Sequence, residues 1–227
     1  MRCAVAIGIQ SVRTNAVPMI VLWLMAAAAV GLYYGVPGGD QFFAPFAAWQ
    51  RESGWLAAFL NRVLFCGLLP GAFLLLLPSL RPRRPVLTVL AQTLWCGLWG
   101  VVFDFYFRGL DLLWGNGTDF ATLAAKMCAD EFVLTAFLSA PADAVFFFWV
   151  GRDFSVRRVR ADWPRSFYGE LVLPNLISNW CVWVPVSFAV FAFPLALQIQ
   201  VSGFAAAFWT LMCLQIGRRT KGGLGHE

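Results

Sequence analysis

Apolar and polar positions alternate along this chain in long blocks rather than in short periods. Runs of about 20 apolar residues are separated by short segments where arginine, aspartate, proline and glycine gather. A run of that length crosses a bilayer as a helix, because a helix satisfies its backbone polar groups within one segment. The pattern predicts six such helices, at about 17–36, 55–80, 86–109, 122–150, 167–192 and 194–216. The stretch "PGGDQFFAPFAAWQRESG" between the first two is too polar to span and is expected to lie on the surface as an amphipathic segment. A four-span alternative, with shallow first and fifth segments, stays open. The expected fold class is all-α, a multi-span transmembrane bundle of about six helices forming a single integral membrane domain over 1–227. Within it, 1–54 hold an extra N-terminal span and the surface segment, 55–218 the main bundle, and 219–227 a polar tail.

Composition agrees with lipid as the solvent. Of 227 residues, 60% are hydrophobic and only 13% charged, against about 25% charged in a soluble domain. The net charge of +5 would suggest nucleic acid in a soluble chain, but its distribution argues otherwise. With the N-terminus inside, the inside segments 1–16, 81–85, 151–166 and 217–227 hold 13 of the 17 Lys and Arg residues. Arg51, Arg62, Arg108 and Lys126 are the remainder. Such alternation follows the positive-inside rule and places both termini on the same positive face. The first apolar run also has the basic flank and small residues of a cleaved signal, or of a targeting extension. Its continuation through "VGLYYGV" favours a retained helix. The six cysteines show no CxxC spacing and read as reduced thiols, and the one histidine is His226. No metal site and no cofactor are expected.

Charges within the spans are costly and need a partner or water. Arg62 and Asp104 lie 21 residues either side of a turn centred on about Arg83, so equal helical rise puts them at one depth. They are expected to form an ion pair. Asp104, Arg108 and Asp111 share a helix face, as do Lys126 and Asp130. Asp111, Lys126, Asp130 and Glu131 are read as an outer charged cluster at a cavity mouth, or as a solvated interfacial face. Asp143 lies deep in a span near Pro141, with Arg62 or Arg152 as candidate partners. Asn175 and Asn179 are one turn apart and predict a polar stripe facing the bundle interior. Pro70, Pro141, Pro185 and Pro194 are expected to kink helices, and Pro185 to free a carbonyl for a partner. "GLYYG" and "GLLPG" each fit the GxxxG pattern of close helix contact.

"NWCVWVP" at 179–185, "FP" at 193–194 and Trp209 fifteen residues beyond together resemble the C-terminal signature of the Mpv-seventeen and peroxisomal-membrane-protein-two family. "KMCADE", "GVVFDFYFRGLD" and "DWPRSFY" resemble its upstream segments, so the likeness covers about 90–218. The chain departs from the pattern in having Ser187 and Val190 where the family usually has Gln and Asn, and Gln198 at a usually basic position. It is thus similar to a divergent member. The resemblance implies a small integral protein of peroxisomal, mitochondrial or related membranes, some of which are weakly selective pores for small solutes.

The expected function is a weakly selective channel for small hydrophilic solutes or metabolites, not an enzyme. Its intramembrane polar candidates are Arg62, Asp104, Arg108, Asp143, Asn175 and Asn179. The alternative is a non-catalytic scaffold or assembly partner of another membrane complex. The expected partners are the lipid bilayer, small solutes and a second copy of the chain, with no nucleic acid. The arginine-rich loops fit a bacterial inner membrane and an organelle membrane alike.

Overall fold

The computed structural model describes residue 13, residues 16–78 and residues 81–223, without the side chains of Pro18 and 211–223. Arg2, Cys3 and His226, the side chains of Cys213, Arg218, Arg219 and Lys221, and hence the placement of both termini on one face, lie outside what is described. Helices run Ala16–Gly35 (α1), Gly39–Ser53 (α2), Trp55–Leu76 (α3), Pro85–Trp114 (α4), Phe120–Val150 (α5), Val156–Ala161 (α6), Tyr168–Ala192 (α7) and Leu195–Gly223 (α8). Among the described residues there is no strand.

The structure is therefore an all-α bundle, and α3, α4, α5 and α7 are each long and apolar enough to cross a membrane. Helices α1 and α2 meet at 104° and make a fifth only when taken as one broken span. Helix α8 is apolar but shorter over Leu195–Thr210. The six expected spans thus become four that stand alone. The α1–α2 bend is set by Gly38, whose φ of 76° is a conformation that side chains other than glycine's rarely adopt. Several apolar helices of this kind fit a membrane-embedded protein. Their outward positions agree, since Leu87, Leu90, Leu94, Leu98 and Phe105 make an exposed apolar strip along α4.

Three stretches inside the long helices are wide turns, with backbone bonds reaching five residues back instead of four. They are Val63–Leu68 in α3, Ala129–Ser139 in α5 and Tyr168–Val172 at the start of α7. Each ends just before a proline. Leu69 N–H donates to the Leu64 carbonyl ahead of Pro70, Ala140 to Thr135 ahead of Pro141, and Leu173 to Tyr168 ahead of Pro174. A proline ring collides with the carbonyl four residues earlier, and a widened turn relieves the collision while keeping the preceding amide bonded. The Cys66 carbonyl, four residues before Pro70, accepts the Cys96 thiol instead (3.5 Å). Inside α7, the Trp23 indole donates to the Val182 carbonyl (3.1 Å), which is not the carbonyl freed by Pro185, since the missing N–H would have bonded Cys181. Pro194 lies in the turn between α7 and α8, so it separates two helices rather than kinking one.

Helices α3 and α4 form a close antiparallel pair. A Cβ on Gly67 would stand 2.6 Å from Thr93 Cα, and one on Gly71 2.6 Å from Val89 Cγ1, so the backbones meet on small residues. Gly31 and Gly35 of "GLYYG" face open space. Helix α1 runs parallel to α7, tied by Trp23 to Val182 and by Tyr34 Oη to the Ala192 carbonyl (2.6 Å). A core of Leu22, Phe107, Leu123, Val186, Val190 and Phe191 fills the space between α1, α4, α5 and α7.

Candidate functional site

Five helices, α3, α4, α5, α7 and α8, enclose a cavity of about 420 Å³. Aromatic rings form much of its wall, among them Trp95, Trp99, Phe103, Phe107 and Trp183. Its charged members are Arg62, Asp130, Glu131 and Asp143. A second cavity of about 450 Å³ shares Thr135, Ser139, Asp143, Phe147 and Asn179 with the first. It also touches Phe148 and Leu171, close to the ends of α5 and α7 that carry the arginine-rich loops.

Arg62 is 9% exposed and sits on the inner face of α3. Its Nη2 donates to Ser202 Oγ (3.0 Å), its Nη1 reaches Cys66 Sγ (3.6 Å), and the guanidinium carbon stands 5.0 Å from the centre of the Phe103 ring. Its Nε has no hydrogen-bond partner. The expected ion pair with Asp104 is absent. Asp104 instead accepts from Gln50 Nε2 (2.9 Å) and from Arg108 Nε (2.9 Å). The reason is register: the Gly67–Thr93 and Gly71–Val89 contacts centre the α3–α4 hairpin on residue 80, not 83. Asp104 is thereby shifted by six residues, roughly 9 Å at helical rise, past the level of Arg62.

The expected outer cluster divides in two. Asp111 and Lys126 form a buried ion pair, with the lysine only 1% exposed. Asp130 and Glu131 turn into the cavity. Ser187 Oγ lies 3.2 Å from Asp130 Oδ2 and 2.8 Å from Glu131 Oε1, and its single proton donates to one of them at a time. Glu131 Oε2 also accepts from Asn179 Nδ2 (3.3 Å), while its backbone carbonyl accepts from the Trp180 indole (2.9 Å). Asp130 Oδ1 is unpartnered. The division follows from the wide turns of α5, which start at Ala129 and break the four-residue stacking that would have kept Lys126 and Asp130 together. These turns set Asp130, Thr135, Ser139 and Asp143 in one file along the cavity wall.

Asp143 belongs to both cavities and accepts from Trp95 Nε1 (2.6 Å), neither expected arginine being its partner. Arg152 bonds Asp162 in the loop region (3.1 Å). Asn179 is half-buried and faces inward, whereas Asn175 is exposed, donates to the Leu171 carbonyl of its own helix (2.9 Å) and lines only the second cavity. Arg108 is largely exposed, and Asp104 lies outside both cavities.

Several participants carry little signal in the sequence. Ser187, Ser202, Thr135 and Ser139 are hydroxyls in apolar runs. Behind the cavity, Asn61 Nδ2 donates to Gln200 (2.7 Å), Gln200 to Gln50 (2.8 Å) and Gln50 to Asp104, an amide relay that ties α2, α3, α4 and α8 together. Gln50 comes from the segment expected on the surface, yet it is buried. A lone amide amid polar neighbours gives no sign of burial. No family model, no curated protein and no solved structure matches this chain.

Proposed function

We propose that the protein is a membrane-embedded conduit for small hydrophilic solutes, without catalytic activity. One observation carries this reading: a bundle with apolar outer faces holds a cavity into which four ionisable side chains project, joined through shared walls to a second cavity toward the arginine-rich end. Buried charges of this kind are expensive in a bundle that only needs to pack, and they cluster where solute or water passes. Placement in the Mpv-seventeen and peroxisomal-membrane-protein-two family is proposed on the same footing, from the quoted residues. Asn179, Trp183 and Ser187 of that signature region stand in the cavity wall.

Reconstitution tests it. Liposomes carrying the purified chain should leak small sugars and organic acids with a cut-off in solute size, and protein-free liposomes should not. Asp143→Asn, in both cavities, should shift the reversal potential in a bilayer recording. A tight, leak-free proteoliposome with correctly inserted protein overturns the reading.

A further inference from the structure

We propose that the main cavity is a binding site for a small zwitterion, a solute with one ammonium and one carboxylate, held with its carboxylate on Arg62 and its ammonium on Asp130. This assignment rests on the conduit reading for access to the cavity, and adds the class of solute.

Two opposite charges in one cavity wall are left unmet. Arg62 is 9% exposed with Nε unpartnered, and no carboxylate pairs with it. Asp130 is 5% exposed with Oδ1 unpartnered. A buried polar group without a partner is costly, and a charged one more so. Arg62 and Asp130 attract one another across the cavity but make no direct ion pair, because each is anchored separately. Arg62 is held by Ser202 of α8 and lies over Phe103, while Asp130 is held by Ser187 of α7. The other carboxylates have partners of their own, Glu131 with Asn179 and Asp143 with Trp95. The cavity wall thus carries one cation and one anion without an ion-pair partner, both fixed before any solute arrives. An anion alone would satisfy Arg62 but face three carboxyl groups, and a cation alone would leave Arg62 unmet. A zwitterion meets both. The aromatic walls suit the ammonium end, since ring faces attract cations. Three-carboxylate metal binding has no support, because no group of metal-ligating side chains occurs among the described residues.

The test is equilibrium binding to the full chain in detergent. Radiolabelled glycine, β-alanine and 4-aminobutyrate sample three charge spacings, and butyrate and butylammonium carry one charge each. At least one zwitterion should bind saturably and about ten-fold or more tightly than either single-charge probe, the loss expected for one charged hydrogen bond. Arg62→Gln and Asp130→Asn should each weaken that binding by a similar factor. If a variant fails to fold, the wild-type probe series still decides. Absence of saturable zwitterion binding, or butyrate or butylammonium binding as tightly, overturns the assignment. Liposome leak with no saturable zwitterion binding would remove this site and leave the conduit. Saturable zwitterion binding without leak would support the site and remove the conduit.

Discussion

Ser187 holds two carboxyl side chains with one hydroxyl, so its removal has a direct cost. Ser187→Ala leaves Asp130 without any side-chain partner and Glu131 with Asn179 alone. Loss of stability of about 1–3 kcal/mol is expected, read from the unfolding midpoint in detergent. Outside the spans, Asp153 is held below the usual carboxylate range, first by the Arg158 guanidinium (2.5 Å) and also by Arg83 (3.3 Å). A depressed carboxylate favours the folded state above its unfolded pKa of about 3.9, and that contribution is lost as pH falls through the lower folded value. Asp153→Asn should therefore lower the melting temperature near neutral pH and bring it level with wild type in strong acid. Equal melting curves at neutral pH would show that these loop ion pairs add nothing. At this scale legibility followed charge. Arg62, Asp130, Glu131 and Asp143 stand out in any apolar run, because a charge there is conspicuous. Ser187, Ser202 and Gln200 do not, since helical spans carry hydroxyls and amides at modest cost and their partners come from other helices.

Between elements, the decisive quantity is register, and small residues set it. Gly67→Ala would put a Cβ 2.6 Å from the Thr93 backbone, so α3 and α4 must separate. A cost of about 1–3 kcal/mol is expected from such overpacking. Gly31→Ala meets nothing within 4 Å, and should be neutral or stabilising by up to about 1 kcal/mol through helix propensity. Unfolding of the two variants side by side makes the comparison, and equal effects would mean that the α3–α4 seam does not depend on its glycines. The same seam explains why depth matching misplaced Asp104. The chain shows two apolar runs and a basic turn, but the turn's centre moved by three residues, and an error in a hairpin centre doubles across the pair. The wide turns were legible only through Pro70, Pro141 and Pro174. A proline announces a disturbed helix without saying that the remedy is an added residue per turn. At the ordinary helical period Asp130 would lie on a different face from Thr135 and Ser139, which the structure aligns.

For the whole molecule, the helical class and the approximate extents of α3, α4, α5 and α7 were open to reading, since long apolar blocks have few alternatives in lipid, although α3 ends four residues before and α4 five residues beyond the expected limits. The α1–α2 bend and the burial of Gln50 were not, because they depend on packing against α7 and α8. The charge pattern further implied that loops alternate between two ends, and the described contacts bear on this directly. Arg83 in the α3–α4 loop reaches Asp153 in the loop after α5, so these two basic segments share one end. At the other end, Asn116 and Thr118 of the α4–α5 loop line a small pocket with Pro194 and Leu195 of the α7–α8 turn. In a membrane, cysteines introduced at Arg83 and Arg157 should react with an impermeant maleimide from one side, and a cysteine at Asn116 only from the other. All three parent residues are exposed, so reagent access does not depend on unfolding. Labelling is measured on sealed vesicles of both orientations, against the unmodified chain to subtract its native thiols. If positions 83 and 157 labelled from opposite sides, the Arg83–Asp153 contact could not form in the bilayer. If position 116 labelled together with 83, α4 would not cross, and the cavity built on its inner face would lose a wall.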